Sequence, residues 1–419
     1  MSVTHTLDEA VCRFLEEAHS RIDDAPVTLN PDPEWQKLGE TGTELWLDTG
    51  DIDAAREHLT AEFTALTTNN TLLNKEVQKG IYDDFVVEAA RAVRAAAPGI
   101  NEQELALEIA FILNAHHAQR LVHIFGRNVS VELHTDLADN VDGSVAYGER
   151  YHRIDPEHFI VKVPLTPAGF FAARKLQQQN IRVNFTLGFS ARQNYLAAVL
   201  AQPNYVNVFM GRLGAFVADN GLGEAENVGE KATLATQRVV SALRETGRTE
   251  SLLIGASMRR GNQVPALAGV DVYTMPPKVA AEYRQAPLAA VPPQVQIDPQ
   301  VTLAEGVNLD DFAGGSLWDV RVDFVAAIDQ LLKKEVDGLG PEDLQDHFTT
   351  FDVSDLLPRW SEDDKRISRE EGKIPKLDTW KNRLAKGEIG LDALMNLAAL
   401  QSFTADQMAL DARVRGLVG

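Results

Sequence analysis

Short apolar runs alternate with stretches of helical period over the first two thirds of the chain, and this alternation restricts the fold more than any other feature. The runs are ELWLD (44–48), ALTTN (65–69), VSVEL (129–133), FIVKV (159–163), IRVNFTLGF (181–189), YVNVFM (205–210), SLLIGAS (251–257) and VDVYT (270–274). Between them lie amphipathic patterns such as IDAAREHLTAEF, DDFVVEAARAVRAAA, LALEIAFILNAHHAQRLVHIF, AGFFAARKLQQQN, RQNYLAAVLAQ, EKATLATQRVVSALRET and GNQVPALAG. Strands separated by helices pair in parallel, because a crossover helix returns the chain to the same end of the sheet. Eight such strands between residues 44 and 274 predict an α/β fold, a (β/α)8 barrel, with a doubly wound open sheet as its competitor.

Flanking segments divide the chain into a helical arm (1–40), the barrel (41–290) and a C-terminal extension (291–419). Pro287, Pro292, Pro293 and Pro299 mark the last junction. The extension carries 14 Lys and Arg against 24 Asp and Glu, nearly half of the whole chain's net charge of −21. Its segments VDFVAAIDQLLKKEV and LDALMNLAALQSFT have apolar stripes that must be covered, by the barrel or by a partner subunit. A homodimer is one such arrangement. So acidic a chain repels nucleic acid and anionic membrane surfaces. The single cysteine, Cys12, suits a reducing compartment and is expected as a small buried residue of an N-terminal helix. No apolar run approaches a membrane span and the acidic N-terminus lacks the core of a signal peptide, so a soluble cytoplasmic protein is expected.

Barrel strands are walled in on both sides, so an ionisable residue within one is costly unless it is paired or has work to do. Lys162 sits among Ile160, Val161, Val163 and Pro164. Burial there disfavours the ammonium, and a partly neutral lysine is what imine formation with a ketone requires. The alternative is a lysine in a buried ion pair or one reaching a strand end. Asp48 ends ELWLD, where a barrel carboxylate reads as catalytic; otherwise it caps the next helix, a role Asp51 can fill instead. Glu132 is a second carboxylate inside an apolar strand and could hold a proton near neutrality. Asn69, Asn184 and Thr186 place uncharged hydrogen-bonding groups at strand ends, as hydroxyl-rich ligands want.

Arg212 follows the sixth run and Arg259 the seventh, and two guanidinium forks beside Ser257 suit a phosphate monoester. Solvated surface arginines are the plain alternative, more so for Arg260 than for Arg259. His116, His117 and His123 lie on one helical pattern without an acid or cysteine on the same face, so no metal site is predicted there. GLGEAENVG lacks the strand-to-helix spacing of a phosphate loop and reads as a connecting loop. His134, two residues past Glu132, is left without a role.

With these motifs in order, the chain resembles the transaldolases. The resemblance rests on LDTGD (47–51), TTNNTL (67–72), VSVEL (129–133), FIVKVPLT (159–166), VNFTLGFS (183–190), VFMGR (208–212) and GASMR (255–259), and fades after about residue 290. It implies a class I aldolase-type barrel that moves a dihydroxyacetone unit between sugar phosphates, with no metal or organic cofactor. Lys162 would be the Schiff-base lysine and Asp48 the acid/base for the C4 hydroxyl. Glu132 and Thr186 would hold a proton-shuttling water. Thr67, Asn69 and Asn184 would meet the dihydroxyacetone end, while Arg212, Arg259 and Ser257 would clamp phosphate. Asn207 stands where a serine is usual and can still bond a donor hydroxyl; Asn70 and Thr71 replace a common proline and serine. The stretch beyond about residue 350 has no counterpart in compact members of the family.

Two rivals remain. A fructose 6-phosphate aldolase would release dihydroxyacetone free, but that branch tends to carry a glutamine and a strand-six tyrosine where this chain has Glu132 and Phe209. A deoxyribose-phosphate type lacks support because no second lysine accompanies Lys162 along the strands. A catalytically silent barrel whose tail mediates assembly is the alternative of another class, and it would leave Lys162, Asp48 and Glu132 buried without purpose.

Overall fold

Eight short strands rich in Val, Leu, Phe and Ile close, in sequence order, into one barrel: β1 (Glu44–Asp48), β2 (Phe63–Thr67), β3 (Asn128–Glu132), β4 (Phe159–Pro164), β5 (Val183–Thr186), β6 (Tyr205–Phe209), β7 (Leu252–Ala256) and β8 (Val272–Met275). Every neighbouring pair is parallel, and β8 returns to β1. This computed structural model describes residues 3–286, 288 and 290–419, so Pro287 of the junction lies outside the described residues. The architecture is the (β/α)8 barrel, with helices interleaved between the strands and further helices added at both ends of the chain.

Some boundaries differ from the sequence pattern. The second strand runs over Phe63–Thr67 instead of ALTTN, because Asn69 turns the chain into the helix Asn70–Gln78 by accepting a hydrogen bond from the Leu72 amide. Its earlier start also ends the preceding helix at His58. IRVNFTLGF contracts to Val183–Thr186, and GNQVPALAG to the single turn Gln263–Ala266, broken by Pro265 and the flanking glycines. On the N-terminal helix Val3–Ser20 the buried stripe is Val11, Leu15 and Ala18, and Cys12 is only half-buried at its side.

Register fixes which side chains share a level. Glu132 pairs with Lys162, and Lys162 with Asn184, so these three lie in one row on one face of β3, β4 and β5. Asp48 pairs with Thr67 across β1 and β2. Two residues earlier on the same faces the interior is filled by bulk, as where Trp46 meets Tyr205 with ring centroids 4.7 Å apart. The floor is therefore closed, and polar side chains gather at the C-terminal strand ends.

The C-terminal extension lies against the barrel. Its terminal helix, Leu391–Val418, crosses the loops at the C-terminal strand ends. Asn396 Nδ2 donates to the carbonyls of Leu165 (3.0 Å) and Leu187 (2.8 Å), beyond β4 and β5. Asn70, beyond β2, donates to Gln407 at 2.5 Å, and His134, beyond β3, meets Asp411 at 3.3 Å. The helix start is anchored by Asp392, fully buried, which accepts from Arg192 Nε (2.8 Å), Arg192 Nη2 (2.7 Å) and Ser190 Oγ (2.6 Å). Leu391, Leu394, Met395 and Leu410 are fully buried, each contributing about 2 kcal/mol at most to the docked state. Among the described residues no helix is long and apolar enough to cross a membrane.

Candidate active site

Lys162 projects from the middle of β4 and is 4% exposed. Its Nζ donates to the Thr68 carbonyl at 3.2 Å and lies 3.7 Å from Glu132 Oε2. Thr68 is held in turn by its own hydroxyl, which donates to the Ser130 carbonyl at 3.0 Å. Burial pushes the Glu132 carboxyl up from the usual carboxylate range, against the Lys162 ammonium and the Asn70 amide, which favour its charged form. Glu132 Oε2 is buried without a hydrogen-bond partner among the described residues. A group able to take or give a proton fits that position.

Asp48 sits at the end of β1, half-buried, and is not a helix cap. Asp51 fills that role, accepting from the amides of Asp53 (2.9 Å) and Ala54 (3.0 Å). Thr67 Oγ1 donates to Asp48 Oδ1 at 2.7 Å and lies 2.6 Å from Thr274 Oγ1. A hydroxyl that gives its one proton to Asp48 must accept from Thr274, so a two-threonine relay orients the carboxylate. Although Asp48 opens onto a cavity, desolvation by its surroundings raises its pKa; Lys162, then Thr67, oppose that shift.

Asn184 Nδ2 donates to Ser130 Oγ (3.1 Å), and Asn207 Nδ2 donates to Asn184 Oδ1 (3.2 Å) while Asn207 Oδ1 accepts from the Gly188 amide (3.2 Å). The two amides are thus fixed before any ligand arrives, which is preorganisation for hydroxyl groups. Arg212 lies on the helix Met210–Asp219, which starts directly after β6. It is 5% exposed, and burial, then Arg259, push it down to about 10, still cationic at neutral pH. Ser257, past β7, adopts φ of +64°, turning the chain so that Ser257 and Arg259 face the same cavity. Gly211 makes this approach possible: a Cβ there would lie 2.1 Å from the Ser257 carbonyl oxygen.

Ten of the twelve residues singled out in the sequence line one cavity of about 160 Å³: Asp48, Thr67, Asn69, Lys162, Asn184, Asn207, Phe209, Arg212, Ser257 and Arg259. Glu132 and Thr186 do not. Glu132 reaches Lys162 from a small separate void shared with Asn114, Tyr151 and Gln407, and Thr186 is buried with its hydroxyl unpartnered among the described residues. Both Arg259 and Arg260 are exposed, but only Arg259 lines the cavity, while Arg260 pairs with Glu226 at 3.1 Å. The same wall holds Thr71, noted in the sequence only as a departure from the family motif, and Thr274, Lys373 and Phe403, which sequence reasoning missed. Thr274 was visible as a hydroxyl at the end of VDVYT; the others come from a helix turn and from the extension.

Residues 45–337 match the family described as Transaldolase/Fructose-6-phosphate aldolase. Among individual proteins, the chain is similar to a protein named transaldolase from Xanthomonas oryzae pv. oryzae, 28% identical over 278 residues, covering 64% of this chain and 83% of the relative. It is similar to a probable transaldolase of Dictyostelium discoideum, 27% identical over 259 residues, covering 59% and 78%. A transaldolase of Protochlamydia amoebophila is 28% identical over 254 residues, covering 58% and 76%.

Proposed function

The chain belongs to the transaldolase/fructose-6-phosphate aldolase family of enzymes, and on that premise we propose that it is a transaldolase acting through a Schiff base on Lys162. The donor is a ketose phosphate, fructose 6-phosphate or sedoheptulose 7-phosphate; the acceptor is an aldose phosphate, erythrose 4-phosphate or glyceraldehyde 3-phosphate. The observation that carries this reading is one buried lysine in a cavity shared with the desolvated Asp48, Arg212 and Arg259, with the desolvated Glu132 reaching it from behind at 3.7 Å.

The neutral Lys162 amine adds to the ketose C2 carbonyl, and loss of water from the carbinolamine leaves a protonated imine. Glu132, 3.7 Å from Nζ, is positioned to exchange the protons that this addition and dehydration require, with Thr186 as a hydroxyl partner. Asp48 then takes the C4 hydroxyl proton as the C3–C4 bond breaks; the aldose phosphate leaves, and the electron pair enters the imine to give an enamine. An acceptor aldehyde reverses these steps, with Asp48 returning the proton to the new hydroxyl. Its raised pKa suits a group that must both accept and return a proton. Asn69, Asn184 and Asn207 meet the dihydroxyacetone hydroxyls, with Thr67 steadying Asp48 and Phe209 forming an apolar wall. Arg212, Arg259 and Ser257 hold the phosphate.

The test incubates fructose 6-phosphate with erythrose 4-phosphate and follows sedoheptulose 7-phosphate and glyceraldehyde 3-phosphate. Stoichiometric appearance of both supports transfer, and K162M should abolish it. Free dihydroxyacetone released without an acceptor would instead support the lyase reading, and a folded wild type inert in both assays would leave the barrel as a silent assembly module.

A further inference from the structure

The family match ends at residue 337, yet the wall of the cavity includes two side chains beyond it, Lys373 and Phe403. Phe403, 4% exposed, projects from the terminal helix towards Phe209 (ring centroids 6.4 Å apart) and lies under the Arg212 guanidinium (5.6 Å). Lys373 lies in the connection between the helices Glu362–Glu371 and Leu377–Ala385. Its backbone is pinned to the barrel at several points. Arg212 Nη1 donates to the Lys373 carbonyl at 3.3 Å, Asn220 Nδ2 donates to the Pro375 carbonyl at 3.1 Å, and Asn220 Oδ1 accepts from the Leu377 amide at 2.7 Å. The connection is therefore held over the cavity by the helix that follows β6.

Charge at this end of the cavity is unbalanced. Among the described residues, the Lys373 ammonium and the guanidinium groups of Arg212 and Arg259 have no carboxylate within ion-pair distance, in a chain whose net charge is −21. The charged groups whose fields reach Lys373 are Arg212, Arg259, Lys75 and Asp406, and Asp406 already accepts from the Thr71 hydroxyl. Although Lys373 is exposed at the mouth, partial desolvation by its surroundings, then Arg212, pulls its ammonium below the ordinary lysine range. Three cations gathered around one small cavity repel one another, and a bound dianion removes that cost.

We propose that Lys373, delivered by the C-terminal extension, is a third cation of the phosphate-binding end of this site and selects phosphorylated over unphosphorylated sugars. The proposal rests on the reading of the substrates as sugar phosphates. It assigns Lys373 to binding rather than to bond breaking, since it lies at the exposed mouth while Lys162 lies inside the barrel. An ammonium on a flexible stem acts as a point charge, so arginine should replace it in large part and methionine should not.

The experiment compares wild type, K373M and K373R with erythrose 4-phosphate and with erythrose as acceptors, and measures inhibition by inorganic phosphate. K373M is expected to lower the ratio of kcat/KM for erythrose 4-phosphate over erythrose by about tenfold, to weaken phosphate inhibition by a similar factor, and to be largely rescued in K373R. An unchanged ratio would overturn the proposal, whether both acceptors lose equally or neither loses, the second being the outcome if Asp406 neutralises Lys373 in solution. Failure of the underlying Schiff-base reading is distinguishable. It would show as the absence of a borohydride-trapped adduct in the wild type itself, whereas failure of the Lys373 assignment alone leaves that adduct and the wild-type acceptor ratio in place.

Discussion

Burial lifts both Asp48 and Glu132, and the charge of Lys162 opposes the shift in each, so the two carboxyls respond to the same cation. Removing the cation in K162M should raise both carboxyls further, and infrared carboxyl bands followed against pH, assigned with D48N and E132Q, should show more of the protonated form at neutral pH than in the wild type. Unchanged bands would contradict the coupling. Thr67→Val removes the donor that favours ionised Asp48. Its loss makes protonation easier, so the acid limb of the kcat/KM profile should move to higher pH, and a profile that stays in place would show that Asp48 is not the group titrating. Asp48→Asn should cost about 10²- to 10⁴-fold in kcat while leaving imine formation intact, because it touches only proton transfer at C4.

Elements place these residues through a few close approaches. Gly211 lets the helix after β6 abut the loop after β7, and Gly211→Ala should separate them, raising KM for phosphorylated substrates and costing about 1–3 kcal/mol of stability by denaturant titration. A KM equal to that of the wild type would mean that this contact does not set the Arg212 to Ser257 spacing. The strands, and the site residues on them, were legible in the sequence because a charged side chain inside a doubly buried strand stands out from its apolar neighbours, as Lys162 does. Asn69 was legible as a polar strand end but not as the helix cap that displaces β2, since capping and strand termination use the same residue types. Lys373 and Phe403 were not legible. Each looks ordinary among its sequence neighbours, and only long-range docking brings it to the cavity.

At the scale of the whole chain, we propose the division into arm (1–40), barrel (41–290) and extension (291–419) as its organisation, with the extension completing the cavity rather than standing apart from it. Deleting residues 391–419 removes Phe403, the Asn396 bonds and the Asp392 anchor, and leaves Arg192 with Asp355 alone at 2.7 Å. The truncated chain should melt earlier and lose activity towards phosphorylated sugars; unaltered melting and activity would contradict the role given to the terminal helix. Field effects act on the same scale. The cavity concentrates cations within an acidic molecule, so KM for a sugar phosphate should rise as ionic strength goes from about 0.01 M to about 0.15 M, where screening lengths shorten to about 8 Å.

The central claim is covalent chemistry at one lysine, and borohydride trapping with fructose 6-phosphate followed by peptide mapping tests it most directly. A reduced three-carbon adduct on the peptide containing Lys162, absent from K162M, is the expected result. A folded, unlabelled wild type, or a label on another lysine, would contradict it.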